Sequence, residues 1–380
     1  SPTATATLGP TQTPSPSATR PPSPGLPACE RTTGDAGGFR FSLDGGVTLA
    51  PGARRLDNVA YTWAIDIDPR DPSTILELHQ GALYRSTDAG CRFERLPGLP
   101  EGAWDQLARA PSAPDLWVLA SVFESRLAWT EDAGARWTVE DLPDDVQALA
   151  IAPSDPWRWT FAGRQPALYT RGAAGEKFEI RPLRVEGVES LVSAAQAPAA
   201  PERWIVGSSL RGLFRTEDAG LTWQPASEGL FGELGEPAEP VTALVPSWLG
   251  FAPSDPERVY AVVNRVARSD SERAIWRSED GGRSWRRRVG PEDVARISQL
   301  QINGGTRVFV DPRDPERAFF ALGVAFGGFG TDLFRSTDGL ASLALSHFDD
   351  FYGVYTMGFG PAGSEAVFVG ASSNIPSAAR

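Results

Sequence analysis

The sequence predicts an all-β protein, a single seven-bladed β-propeller spanning residues 28–380 behind a Ser/Thr/Pro-rich stalk at 1–27. Three observations carry that expectation. An eleven-residue segment recurs along the chain, a proline-containing turn between two apolar runs precedes most copies, and each chain end carries what looks like half of one further repeat.

The recurring segment reads LYRSTDAGCRF (83–93), LAWTEDAGARW (127–137), LFRTEDAGLTW (213–223) and IWRSEDGGRSW (275–285). Degenerate copies are FRFSLDGGVTL (39–49), LYTRGAAGEKF (168–178) and LFRSTDGLASL (333–343). The aspartate position falls at Asp44, Asp88, Asp132, Ala173, Asp218, Asp280 and Asp338, with spacings of 44, 44, 41, 45, 62 and 58. A period of about 40–50 residues with strand-like flanks signals a propeller or a similar array. Within each copy the physics is that of a hairpin. The apolar pair ends one strand, and the aspartate and Ser/Thr accept bonds from the turn. Glycine supplies a positive φ, and the Trp or Phe opens the next strand with a large packing surface. The six aspartates are therefore read as turn-makers.

The second motif reads IDIDPRDPSTILEL (65–78), LAIAPSDPWRWTFAG (149–163), LGFAPSDPERVYAV (249–262) and VFVDPRDPERAFFAL (308–322), with weaker versions at 107–120 and 192–206. Each is a strand, a proline turn and a second strand. Joined to the box hairpin this makes four strands per repeat. Residues 355–371 look like the first two strands with no box after them, and 39–50 like a box with no strands before it. Together, 353–373 and 38–50 complete one blade and close the ring, which removes exposed sheet edges. The expected blades are 55–98, 103–141, 145–183, 188–227, 241–288, 296–346, and 353–373 with 38–50.

Composition bounds the rest. The net charge of −12 argues against a nucleic-acid surface, and no apolar run reaches the 18 residues of a membrane span. Residues 1–27 are nearly all Ser, Thr, Pro, Ala and Gly, a tract that cannot bury a core. Such stalks suit exported proteins tethered at a cell surface. Cys29 and Cys91 are the only cysteines. A disulfide between them would tie stalk to body in an oxidising compartment, and the other reading is two buried thiols.

The boxes resemble the Asp-box, or BNR repeat, of sialidase-like β-propellers, over essentially all of 38–373. That group includes sialidases, xyloglucan-cleaving glycosidases, sortilin-type receptors and photosystem II assembly-factor propellers. The resemblance implies the fold, boxes at the periphery between third and fourth strands, and binding loops on the opposite face. It does not choose an activity.

A sialidase-like site needs three arginines, a Tyr–Glu pair and an acidic donor, and the Arg-Ile-Pro signature is absent from 38–46. Tyr352 and Tyr355 are the tyrosines outside clear repeat roles. Glycoside hydrolysis otherwise needs two facing carboxylates. The acidic pairs Asp349–Asp350 and Glu292–Asp293 adjoin in sequence and are weak candidates. His79 and His347 are the only histidines, and no HExxH, GxSxG or P-loop pattern occurs. No metal or cofactor is predicted.

Insertions concentrate in the later blades, at 227–240, 264–274, 286–305, 323–332 and 345–353, and are expected on the face opposite the boxes, where long loops carry function. The richest is 347–355. His347, Phe348, Asp349, Asp350, Phe351, Tyr352 and Tyr355 are the candidate binding residues, with Phe326 and Phe329 nearby. The alternative is that these aromatics plug the gap between the last blades. The expected function is a non-catalytic, exported accessory or scaffold propeller binding a protein or glycan partner. The alternatives are a glycoside hydrolase, or a surface or filament component that self-associates through 1–27.

Overall fold

The structure, a computed structural model, describes residues 25–29, 38–50, 61–79, 81–173, 175–198, 200–234, 239–323 and 330–374. Residues 1–24, Phe326 and Phe329 lie outside them.

Seven antiparallel sheets stand radially around an axis. The innermost strands are Thr62–Ile67, Gln106–Ala110, Val146–Ile151, Leu191–Ala197, Ala243–Ala252, Val308–Asp311 and Phe351–Phe359, and each neighbours the next around the ring. In blades one to six, three further strands follow outward in chain order. The inner strand Leu191–Ala197 alternates buried with half-buried residues because one set of side chains faces the axis. The second and third strands lie between neighbouring sheets, so Ile75–His79, Trp159–Gly163 and Ala167–Arg171 are buried throughout. This is why their sequences read as apolar runs rather than alternations.

The seventh blade is sewn from both chain ends, as the half-repeats predict. Phe351–Phe359 pairs with Val367–Asn374, which pairs with Phe39–Ser42 in the register Phe39↔Gly370 to Ser42↔Val367. Phe41 and Ala50 exchange backbone hydrogen bonds of 3.0 and 3.1 Å, which starts the outermost strand. Phe39, Phe41, Ile75 and Phe368 then pack the seam with blade one.

Antiparallel order puts the first-to-second and third-to-fourth turns on one face, hereafter the box face. The second-to-third turns and the interblade connections share the other, the loop face. The insertions at 264–274 and 345–353 reach the loop face as strands rather than loops, whereas that at 227–240 starts beside the fifth box, with the Trp285 N–H donating to the Glu228 carbonyl at 2.9 Å, and pairs Glu233–Leu234 with Glu239–Pro240. Residues 264–274 lengthen the strands Asp255–Val266 and Ser271–Ser278, paired out to Val266↔Ser271. Residues 345–353 fall in the strands Ala344–Phe348 and Phe351–Phe359, which leave only Asp349 and Asp350 between them. The connection between blades five and six carries the short helix Pro291–Ala295.

Cys29 and Cys91 form a disulfide with a Cα–Cα distance of 5.7 Å. Gly25 and Pro27, at the end of the tract assigned as stalk, are buried against the propeller.

Candidate functional site

The six box aspartates share one geometry. In the fifth blade the Ser278 hydroxyl donates to Asp280 Oδ1 at 2.7 Å and accepts the Gly282 N–H at 2.8 Å. Oδ1 also accepts the Ser284 N–H at 2.9 Å, and Oδ2 accepts the Ser284 hydroxyl at 2.6 Å. Ser42–Asp44, Ser86–Asp88, Thr130–Asp132, Thr216–Asp218 and Ser336–Asp338 repeat the central pairing. Both residues after the aspartate adopt positive φ, including Ala89, Ala133 and Ala219 at the first position and Leu340 at the second. The first of them donates to the carbonyl at the start of the second strand, as in Ala219 to Glu202 at 2.7 Å. Each aspartate is spent on its own turn. In the third blade, where Ala173 replaces aspartate, Arg171 takes the Ser/Thr position. It donates to Glu140 at 2.7 Å and lies over Trp159 and Phe178.

The 347–355 candidates separate. Phe351 is fully buried, stacked on Phe348 and covered by the Arg40 guanidinium, which pairs with Asp350 at 3.0 Å. These residues plug the sixth and seventh blades. His347 is half-exposed, with Nδ1 2.5 Å from Asp332 and Nε2 2.8 Å from Asp349, and the bond with Asp332 raises its pKa. Ser298 donates to Asp332 rather than to the imidazole. A nucleophilic relay needs the hydroxyl on the histidine, so this arrangement is a bridge between two carboxylates. Tyr352 is half-buried. Tyr355 turns to the axis.

At the axis lies a cavity of about 470 Å³ that sequence reasoning missed. Its lining comes mainly from the opening halves of the inner strands, joined by Val122 and residues 304–307, so it sits toward the loop-face end. The inner strands are zipped across blades here, with the Gln106 amide donating to the Val146 carbonyl at 2.7 Å and the Ser193 hydroxyl to the Pro246 carbonyl at 2.6 Å. Trp63 and Trp248 line the wall. Behind Trp63 stand Tyr61, stacked at 5.2 Å, and Tyr355 at 4.8 Å. Tyr61 has φ +71°, a strained backbone for a bulky residue.

Two charged groups enter this cavity from opposite blades. Asp105, at the start of blade two, accepts the Val122 N–H on both oxygens at 3.2 Å, and burial pushes its pKa up to about 7. Arg307, before blade six, donates to the Tyr355 carbonyl at 2.9 Å and lies 5.0 Å over that ring. Burial lowers its pKa, and its field lowers that of Asp105. Asp105 is the one carboxylate in the lining, whereas glycoside hydrolysis uses two. The arrangement suits holding a polar or aromatic group. On the same face Phe123, next to the lining residue Val122, is exposed to 68%, and Leu210 is exposed in the second-to-third turn of blade four.

A polar residue opening an inner strand, as in WDQL (104–107), was the one local signal for Asp105. Nothing local distinguishes Arg307 among the chain's arginines. Among the described residues no group of three or more His, Cys, Asp or Glu is placed to hold a metal, and no helix is long and apolar enough to cross a membrane.

No family model matches the chain. It is 28% identical over 349 residues to the dispase autolysis-inducing protein of Streptomyces mobaraensis, covering 90% of this chain and 88% of that one. Its fold is similar to the GH74 xyloglucanase of Xanthomonas campestris, with a TM-score of 0.56 and 17% identity over 84% of this chain and 55% of that one. It is also similar to YCF48 bound to D1 peptide, with a TM-score of 0.55 and 13% identity over 90% and 97% of the two chains. YCF48 from Cyanidioschyzon merolae matches at a TM-score of 0.56 and 13% identity, over 83% and 96%. The chain spans about half the length of the GH74 enzymes it matches. These solved neighbours are β-propellers, and the likeness is one of fold.

Proposed function

We propose that this chain is a non-catalytic, exported propeller that seats a protein partner on its loop face, with a partner side chain entering the axial cavity. The observation that carries this reading is the cavity mouth itself. An aromatic wall and a facing Asp105–Arg307 pair share the loop face with exposed Phe123, adjacent to the lining, and exposed Leu210. Aromatic and apolar anchors around a desolvated polar pair are what protein interfaces use. The names of two similar proteins, one inducing dispase autolysis and one bound to D1 peptide, point to protein partners of their own. The Cys29–Cys91 bond supports an oxidising compartment.

The test places a photo-crosslinking residue at Phe123 or Leu210 on the loop face, and at Val47 or Leu221 on the box face, in the producing organism. The expected result is a discrete protein adduct from the loop-face positions alone, reduced at least tenfold by Arg307→Ala. Equal adducts from both faces would sink the proposal. So would turnover of xyloglucan or sialoside substrates that Asp105→Asn abolishes.

A further inference from the structure

On the box face, a cross-blade ion pair recurs at the start of the second strand at four of the seven junctions. An arginine of one blade meets the acidic residue one position earlier in the next. Arg158 pairs with Glu202 at 2.9 Å, Arg203 with Glu257 at 2.5 Å, Arg258 with Glu316 at 2.6 Å and Arg317 with Glu365 at 3.2 Å. The junctions from blade seven through blade three lack it, and between blades two and three both positions are apolar. Leu116 stands at the arginine position and Trp157 at the acidic one. The ion pair is replaced by a cavity of about 290 Å³ bounded by Pro114, Leu116, Pro156 and Trp157, with Asp115 and Glu131 at its rim.

We propose that this pocket holds the chain's own proline-rich segment, residues 10–24, so that the stalk leaves from the box face. Three observations identify the occupant. First, the pocket pairs an indole with two carboxylates, and proline-rich chain in the polyproline II form docks on aromatic-lined grooves. The segment contains Arg20-Pro21-Pro22-Ser23-Pro24, and Arg20 is the only charged residue before Glu30. Second, the segment joins the propeller at Gly25, on the box face of the neighbouring blade. The Gly25 N–H donates to Ser73 Oγ at 3.0 Å, and Gly25 packs against Pro72. Two positions before Pro72, Arg70 reaches across to Asp115 on the rim at 2.8 Å. In polyproline II form, residues 21–24 at about 3.1 Å each would give Arg20 a reach of roughly 12 Å from Gly25. Third, the Cys29–Cys91 bond holds this exit against the box at 83–93.

This inference is independent of the partner proposed for the loop face, which it leaves clear. The experiment uses the full chain with p-benzoylphenylalanine at Ala113, on the pocket wall, in a mixture of light and isotopically heavy protein. Mass spectrometry of the photoproduct is expected to show same-chain crosslinks to residues 10–24. Leu116→Arg with Trp157→Glu introduces the ion pair of the four later junctions and is expected to reduce those crosslinks at least fivefold. Arg20→Ala with Pro21→Ala and Pro22→Ala, which leaves the propeller untouched, is expected to do the same. Crosslinks that join light to heavy chains would assign the pocket to a second copy and overturn the proposal. Crosslinks that miss residues 10–24, or that neither set of substitutions reduces, would also overturn it.

Discussion

Glu77 and His79 show how single residues tune the closing seam. Both sit on the second strand of blade one with their side chains toward blade seven. Glu77 is wholly buried, with the Thr62 hydroxyl donating to Oε1 at 2.8 Å, and burial pushes its pKa up to about 8. Unfolded, it titrates near 4.5. Between these values the folded chain keeps a proton that the unfolded chain has released. The stability is therefore full below pH 4.5 and falls as pH rises toward 8. Glu77→Gln should flatten that slope and raise stability at pH 8 by several kcal/mol, about 1.4 per pH unit of separation. Urea denaturation at pH 5 and 8 measures it, and an unchanged slope in the variant would refute this reading of Glu77. His79 has the opposite sign. Burial lowers its pKa to about 4, so stability falls as pH drops from 6.5 toward 4. The Gln variant should expose that acid-side loss. At the boxes, Asp280→Ala removes four acceptor contacts and should cost about 1–3 kcal/mol by denaturant melt.

At the scale of elements, neighbouring blades are joined by ion pairs of very different worth. Arg109, on the inner strand of blade two, is buried and bridges Asp66 at 2.5 Å and Asp68 at 2.9 Å on blade one. The Arg70 side chain holds the Asp68 carboxyl down to about 2. Removing Arg109 strands a buried carboxylate, and Arg109→Ala should destabilise by about 3–5 kcal/mol. Arg158 and Glu202 are each about two-fifths exposed, and Arg158→Ala should cost under about 1 kcal/mol. Comparable losses in the two melts would show that burial does not set the hierarchy. The third blade keeps its hairpin without a box aspartate because Arg171, stacked between rings and paired to Glu140, fills the same space. Its sequence, TRGAAG, shows only that the aspartate is missing, because the compensating partners lie on other strands and another blade.

At the scale of the whole molecule, closure depends on two devices. Strands from both chain ends share the last blade, and the Cys29–Cys91 bond spans 62 residues across the adjoining seam. A loop of that length constrains the unfolded chain by about 4 kcal/mol. Cys91→Ser should lower the melting temperature without altering the blade count, and an unchanged melt would mean that the seam holds without the bond. The candidate residues at 347–355 show where reading by segment fails. One stretch of nine residues serves a plug, a surface bridge and the axial wall, because alternate positions of two strands point in different directions.

The repeat arithmetic, the two half-repeats and the turn chemistry were legible because each is local. Hydrophobic runs, an Asp-turn and a proline turn are written within a dozen residues, and seven such units must close to bury their edges. The axial cavity was not legible. Trp63, Asp105, Trp248 and Arg307 come from blades one, two, five and six and meet only when the ring closes. Which side chain of an inner strand faces the axis, and what faces it from across the ring, is set by the tilt and register of sheets that no single segment specifies.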